Sequence, residues 1–134
     1  MDAHLTGTPG PDPRPSPAPA GPWDRVEALY AWLEEHNRRP PGEALLLRML
    51  KLAEETGEVA QAVIGAVGQN PRKGVSHDWD DVRAELCDVI VTAMVALRTL
   101  SPDARTVLAD HLARTVDRTA VPPGPGAADP PGGK

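Results

Sequence analysis

The placement of the prolines limits how much of this chain can fold. Seven of the 16 prolines fall in residues 1–22, and five more fall among glycines in residues 120–134. Segments of this composition cannot bury enough apolar surface to offset the entropy lost on ordering, and their prolines favour extended conformations. We therefore predict two disordered, proline-rich tails and one folded domain at residues 23–119. A domain of this size buries a smaller fraction of its surface than a larger one, so we expect it to pair with a second copy.

Charge and cysteine content narrow the class of protein. The net charge of -5 argues against a partner that is a nucleic acid polymer or an anionic membrane, because such partners attract a basic surface. A single cysteine excludes an internal disulfide and fits a reducing compartment. The N-terminus shows no charged-then-apolar signal, and the longest uncharged apolar run, residues 89–97, is too short to span a bilayer. We expect a soluble, cytoplasmic protein.

The spacing of apolar residues predicts helices throughout the domain. Segments that alternate with a period of two are missing, and Gly and Pro cluster only between the helical blocks. Four helices are predicted, at residues 23–35, 43–67, 78–100 and 102–119. The fold class is therefore predicted to be all-α.

Two local signals refine these helices. Gly57 and Gly65 lie inside the second helix, where each costs about 1 kcal/mol relative to alanine, so we expect close approach by another helix or a ligand. Ser101 is predicted to cap the fourth helix, with Pro102 at its first position.

Two pairs of acids fall on neighbouring helices. Glu55 and Glu58 are three residues apart on the second helix, as are Glu85 and Asp88 on the third, and this spacing places both members of a pair on one face. The two pairs are symmetric about the loop at residues 70–73, so an antiparallel hairpin would bring them to the same height. Four carboxylates would then converge, and a hard cation such as Mg²⁺ prefers oxygen ligands in such an arrangement, with positions left open for water and phosphate oxygens. Spacing alone also fits ordinary solvated acids.

Asp88 favours the metal over the solvated surface. It is the only charge in residues 86–97, and a helix that is apolar all round is buried on most sides. Burying a lone carboxylate costs several kcal/mol unless it is paired or binds a metal. A metal site is therefore favoured over the alternative, which is a salt bridge to one of three cations: Arg48, Lys51 or Arg83.

The residues around these acids resemble a known family. Residues 50–59, Leu-Lys-Leu-Ala-Glu-Glu-Thr-Gly-Glu-Val, followed by Glu-Leu-Cys-Asp-Val at 85–89, are similar to the MazG-like all-α nucleoside triphosphate pyrophosphohydrolases. The signature of that family is ExxE on one helix and ExxD on the next, and the resemblance covers about residues 23–118. The chain departs from the larger members in having one short domain rather than a tandem pair, and in carrying Thr92 where a further polar contact is possible.

The resemblance implies a fold, a cofactor and a reaction. It implies a four-helix MazG-like bundle, assembled as a homodimer or a dimer of dimers, that cleaves a nucleoside triphosphate to the monophosphate and pyrophosphate. The implied metal ligands are Glu55, Glu58, Glu85 and Asp88. One or two Mg²⁺ ions, with Mn²⁺ as an alternative, would bridge phosphate oxygens and activate water for attack at phosphorus. Relatives act on dUTP, dCTP or phosphoribosyl-ATP, so the base stays open.

Lys51 and Glu54 are further candidate catalytic residues. Glu54 is free to orient or deprotonate the water, or it is simply an exposed acid paired with Lys51. Lys51 lies about 6 Å along the helix from Glu55, so it either reaches a phosphate or forms an i,i+4 pair with that glutamate.

Three residues near the loop are candidate substrate-binding residues. Arg72 and Lys73 lie roughly 15–20 Å along the hairpin from the acids, so they serve the site only if the loop folds back or reaches a second subunit. Trp79 either stacks on a base or packs in the core or an interface. We expect His77 to be an ordinary surface residue. The alternative function is a non-catalytic helical dimerisation or regulatory module.

Overall fold

The computed structural model describes residues 20–120, and it is helical throughout. Within this range the chain forms four helices and no strand: α1 (Pro22–His36), α2 (Pro41–Ala66), α3 (Trp79–Leu100) and α4 (Ala104–Thr119). The all-α prediction is confirmed for these residues. The tails predicted for 1–22 and 120–134 lie outside the described residues except at their inner ends, where Pro22 already begins α1. In the described part of the chain, no helix has the length and apolar character needed to cross a membrane.

Two helix starts show how well local signals work. The Asp78 carboxylate accepts hydrogen bonds from the backbone N–H groups of Asp80 (2.7 Å) and Asp81 (3.0 Å). The Asp81 carboxylate in turn accepts a hydrogen bond from the Asp78 N–H, which completes a capping box at α3. The predicted start of α4 is wrong by two residues. Ser101 instead ends α3, donating its N–H to Leu97 O at 2.9 Å, so the following two residues form a turn before Ala104.

Helices α2 and α3 form the antiparallel hairpin that the acid spacing requires. At one end Arg48 Nη1 donates to Thr99 Oγ1 at 2.8 Å, and at the other end Gly65 O accepts from Ser76 N at 3.1 Å. Small and β-branched side chains fill the space between the helices. The buried apolar residues of the described chain are Val26, Ala44, Ala62, Val82, Val95, Ala96 and Ala104.

Polar contacts hold the outer helices against this hairpin. Arg98, near the end of α3, donates to Glu27 of α1 at 2.6 Å and lies over the Tyr30 ring at 4.3 Å from its centroid. Arg105 of α4 donates to Asp24 of α1 at 2.7 Å. These contacts fix α1 across the side of the hairpin.

The side of α3 that faces away from α2 is open. Leu86 is 47% exposed, Ile90 58% and Val91 38%, and Cys87 beside them is also exposed. We call these four residues the outer face of α3. A groove of about 500 Å³ runs between this face and the first half of α1. The prediction that α3 is buried on most sides is therefore wrong for the single chain, because its three partner helices cover only part of its circumference.

Candidate metal centre

Three of the four predicted ligands come together between α2 and α3. Carboxylate oxygens of Glu55, Glu58 and Glu85 all lie within 4.8 Å of one another. Two come from successive turns of α2 and the third from the facing turn of α3, so the antiparallel hairpin produces the convergence. We call these three residues the acid cluster.

Glu55 is the buried member of the acid cluster. Its side chain is about nine-tenths buried, and Lys51 Nζ lies 2.7 Å from its Oε1. The Lys51 ammonium holds the pKa of Glu55 below its usual range, against the opposing effect of burial. Within the described residues, the one buried charged side chain is thus Glu55 on α2 and not Asp88 on α3.

Glu58 experiences the opposite electrostatic effect. A hydrogen bond with Glu55, burial and the nearby charges of Glu55, Glu85 and Glu54 raise the pKa of Glu58 above its usual range. The acid cluster therefore contains more negative charge than Lys51 neutralises. A divalent cation at this position would remove the repulsion.

The donor set fits a hard cation. Mg²⁺ binds oxygen at about 2.1 Å, so two oxygens on opposite sides of one ion are about 4.2 Å apart. The carboxylate oxygens of the acid cluster lie within 4.8 Å of one another, so a bound ion would draw the exposed Glu58 and half-buried Glu85 closer by side-chain rotation. Their exposure also leaves room for water and phosphate oxygens.

Asp88 is not part of the acid cluster. It lies one turn beyond Glu85 and is exposed to solvent, so its predicted burial is wrong. The reason is the open outer face of α3, since apolar neighbours in the sequence do not cover Asp88 within one chain.

The two candidate catalytic residues form the ion pairs that the sequence left open as alternatives. Lys51 Nζ lies 3.1 Å from Glu54 Oε2 as well as 2.7 Å from Glu55 Oε1, and Glu54 is exposed. These two carboxylates raise the pKa of Lys51 above its usual range, so the side chain stays an ammonium ion. Lys51 is thus a fixed positive charge in contact with the acid cluster.

The candidate substrate-binding residues lie elsewhere. Arg72 and Lys73 are exposed in the loop between α2 and α3. Lys73 lines a cavity of about 200 Å³ at that end of the hairpin, and none of the three clustered carboxylates lines it. Trp79 begins α3 and is 55% exposed, about 9 Å along the helix axis from Glu85.

A second cavity lies on the other side of the acid cluster. It has a volume of about 250 Å³ between α1, α2 and α3, and its wall is mainly aliphatic with Arg48, Lys51 and Thr92 as the polar members. Lys51 connects this cavity to Glu55, one turn away. The acid cluster therefore has an apolar cavity on one side and a polar cavity on the other.

His77 is the residue whose position the sequence did not reveal. It is exposed, as predicted, but its ring lies directly against Gly65 of α2. The signal was the glycine: a Cβ at Gly65 would come within 2.2 Å of His77 Nδ1, whereas one at Gly57 would meet nothing within 4 Å. At Gly65 the close approach is made by the loop residues Ser76 and His77 and not by another helix, and at Gly57 no other helix of the described chain approaches.

Comparisons of the chain with protein-family models, with curated proteins and with solved structures found no match. The function must therefore be inferred from the residues of the site and their geometry.

Proposed function

We propose that this protein is a Mg²⁺-dependent nucleoside triphosphate pyrophosphohydrolase that releases a nucleoside monophosphate and pyrophosphate. The observation that carries the proposal is the convergence of Glu55, Glu58 and Glu85 from two facing helices. The resemblance of residues 50–59 and 85–89 to the MazG-like family supports the choice of substrate. A role in removing unwanted nucleotides from the cytoplasmic pool follows from that reaction.

The acid cluster would hold the ion, with Asp88 as a predicted further ligand one turn along α3. Mg²⁺ bound there would neutralise phosphate charge and make a coordinated water more acidic. Lys51 would contact a phosphate oxygen, because its ammonium already lies at the edge of the cluster. Glu54, held by Lys51 at 3.1 Å, is the candidate to orient the attacking water. Catalysis would rest on positioning and charge neutralisation.

The apolar cavity beyond Lys51 gives the uncharged part of the nucleotide a place to bind. Ligand pockets combine apolar walls with a few polar groups, and Arg48 and Thr92 supply such groups here. Arg72 remains a candidate contact to the site of a neighbouring subunit, and Trp79 remains a candidate to stack on a base, because both are exposed.

We infer that the outer face of α3 pairs with a second copy, as a homodimer or a dimer of dimers. Leu86, Ile90 and Val91 leave apolar surface open beside a groove of about 500 Å³. Contiguous apolar patches of this kind mark interaction sites in proteins. Pairing would cover the face and add burial to a small domain.

The proposal is tested by a substrate panel with pyrophosphate detection. The panel should contain the canonical nucleoside triphosphates, modified nucleotides and phosphoribosyl-ATP, each with Mg²⁺, with Mn²⁺ and with a chelator. We expect pyrophosphate release that requires the metal and falls at least about tenfold in Glu58→Gln, since even changes beside metal ligands cost that much. Glu43→Gln is the matched control, an exposed acid on α2 paired with Arg39. Release without metal, or equal activity in both variants, would contradict the proposal.

One observation favours a second candidate, a non-catalytic dimerisation or regulatory module. Lys51 already neutralises the buried Glu55, and an i,i+4 ion pair of this kind stabilises helix α2 without any metal. This candidate predicts a dimer through the outer face of α3, no Mg²⁺ binding by calorimetry and no pyrophosphate from any substrate. The pyrophosphohydrolase proposal predicts the same dimer, together with Mg²⁺ binding and pyrophosphate release.

A further inference from the structure

A cavity lined mainly by residues with polar side chains lies at the loop end of the α2–α3 hairpin, outside the acid cluster. It has a volume of about 200 Å³, several times the roughly 30 Å³ of liquid volume that a water molecule takes, so it has room for a small ligand such as a pyrophosphate group. Its wall combines one side of α2 with the loop that follows. The lining residues are Gln61, Ile64, Gly65, Asn70, Lys73, Gly74, Ser76 and His77.

The lining suits an anion. It includes an ammonium, an imidazole, a hydroxyl and two amide side chains, and no carboxylate, in a chain with 19 acids and 14 Lys and Arg residues. Lys73 forms no ion pair with any other residue in the range 20–120. The acids at the start of α3 already have other partners: Asp78 and Asp81 cap the helix, and Asp80 pairs with Arg83.

The end of α2 does not oppose an anion strongly. The carbonyl groups that end a helix carry its negative dipole, which repels anions when they are unsatisfied. Here Gly65 O accepts from Ser76 N at 3.1 Å, and Ile64 O accepts from Gln69 N at 3.1 Å. The loop itself therefore satisfies these carbonyls.

Backbone hydrogen bonds hold the cavity wall in place. Asn70 O accepts from Lys73 N at 3.1 Å and from Gly74 N at 2.9 Å, and Asn70 Oδ1 accepts from Arg72 N at 3.0 Å. Gly74 has φ of 63°, a left-handed conformation that glycine adopts without strain. The turn that presents Lys73 is thus formed before any ligand binds, which lowers the entropy cost of binding.

Gly65 places His77 and Ser76 at the cavity. A Cβ at position 65 would lie 2.2 Å from His77 Nδ1 and 2.7 Å from Ser76 Oγ, so only glycine lets both side chains approach α2. Ser76 Oγ and His77 Nδ1 lie 3.0 Å apart, within hydrogen-bonding distance. In the described residues Nε2 of the same ring makes no hydrogen bond, which leaves that nitrogen for a ligand.

The cavity begins one turn from the acid cluster. Gln61 follows Glu58 by three residues on α2, about 4.5 Å along the axis, and Gly65 lies about 10.5 Å from Glu58. A phosphate chain at the acid cluster would reach the cavity from this side, while the apolar cavity lies beyond Lys51 on the opposite side.

We propose that the cavity at the loop end of the hairpin is a binding site for a pyrophosphate group, with Lys73 and His77 as its anion contacts. The identity of the natural ligand, the terminal phosphates of the nucleotide and the pyrophosphate they become, rests on the proposed function. The binding of the anion itself does not, because it requires neither the metal nor turnover.

The test is calorimetric titration of the full chain with inorganic pyrophosphate in the presence of a chelator, at physiological ionic strength. We expect Lys73→Ala to weaken binding about tenfold, since a hydrogen bond to a charged group contributes about 1.5 kcal/mol or more. Lys73→Arg should keep most of the affinity. Arg38→Ala, which removes an exposed cation from the loop between α1 and α2, should change affinity less than about twofold because exposed charges are screened by salt.

Gly65→Ala tests the geometry without changing charge. It should also weaken pyrophosphate binding, whereas Gly57→Ala on the same helix should not; circular dichroism confirms that both variants are folded. No binding to the wild type, or equal losses in Lys73→Ala and Arg38→Ala, would overturn the proposal.

The two proposals fail separately. The protein could bind pyrophosphate through Lys73 and yet hydrolyse no nucleotide. That result would support the pyrophosphate site and contradict the proposed pyrophosphohydrolase activity. Metal-dependent hydrolysis, with a pyrophosphate affinity that Lys73→Ala does not change, would support the proposed activity and contradict the pyrophosphate site.

Discussion

The two sides of α3 differ in what covers them. The side toward α2 carries Val82, which is buried, and Glu85, which completes the acid cluster. The opposite side carries Leu86, Ile90 and Val91, which are apolar and open. The side of α3 that carries the candidate metal ligand is therefore covered by the same chain, and the most apolar side of α3 is not.

Apolar sequence and burial within one chain are therefore separate properties. Residues 86–97, which are apolar except for Asp88 and Thr92, predict that most sides of α3 are covered, and one chain of four helices supplies only part of that cover. A second copy on the outer face would supply the rest. The carboxylate that is buried lies on α2, where Glu55 faces α3 and pairs with Lys51.

The largest expected effect is a loss of oligomerisation when the outer face of α3 is changed. Ile90→Asp places a charge in the middle of the outer face, where pairing would bury it at a cost of several kcal/mol. We expect the wild type to have at least twice the 14.2 kDa mass of one chain, and the variant to have the mass of one chain, by light scattering after size-exclusion chromatography. Val116→Asp is the control, because Val116 is similarly exposed but lies on α4. A monomeric wild type would contradict the proposed pairing.

The next largest expected effect is on the free energy of unfolding, through the two glycines inside α2. Gly65→Ala introduces a Cβ against the His77 ring, and such overpacking costs about 1–3 kcal/mol. Gly57→Ala meets open space and should stabilise the protein by about 0.4–1 kcal/mol, since alanine loses less backbone entropy on folding. Urea denaturation measures both free energies of unfolding. Effects of the same sign would show that the two glycines do not differ as described.

The smallest effect is a pH dependence at the acid cluster. Because the pKa of Glu58 is raised in the folded protein, the folded carboxyl holds its proton more tightly than the unfolded one. Stability is therefore lost as pH rises from the ordinary value of 4.5 through the raised pKa, and the loss persists at neutral pH. Glu58→Gln removes this loss.

Melting temperatures in chelator, measured from acid to neutral pH, check the sign. Glu58→Gln should melt slightly above the wild type at neutral pH, and the gap should close below pH 4.5. A gap that widens toward acid pH would mean that the folded state favours ionised Glu58. Glu43→Gln, away from the acid cluster, serves as the control for loss of charge on α2.

Most of the fold was predictable from sequence because it depends on local signals. Helical periodicity and loop glycines predict four helices, and the predicted start of the third helix at residue 78 is within one residue of the observed start of α3 at Trp79. Ser101 gave the same kind of signal and misled, because that residue is used to end α3 instead. One residue can satisfy either of two neighbouring helices, and the sequence does not say which.

The candidate site was predictable to the extent that it depends on helix geometry. The i,i+3 spacing and the hairpin symmetry bring Glu55, Glu58 and Glu85 together. The burial of individual acids was not predictable, because it depends on which side of each helix its neighbours cover. The contact of His77 with Gly65 depends on the path of the loop, which no helical period describes.

The most direct test of the central claim is calorimetric titration of the folded protein with Mg²⁺, repeated with Mn²⁺. We expect that the wild type binds the cation, that Glu58→Gln and Glu85→Gln weaken binding at least about tenfold, and that Glu43→Gln binds as the wild type does. No cation binding by the wild type, or equal binding by Glu58→Gln and Glu43→Gln, would contradict the claim that the acid cluster is a metal site.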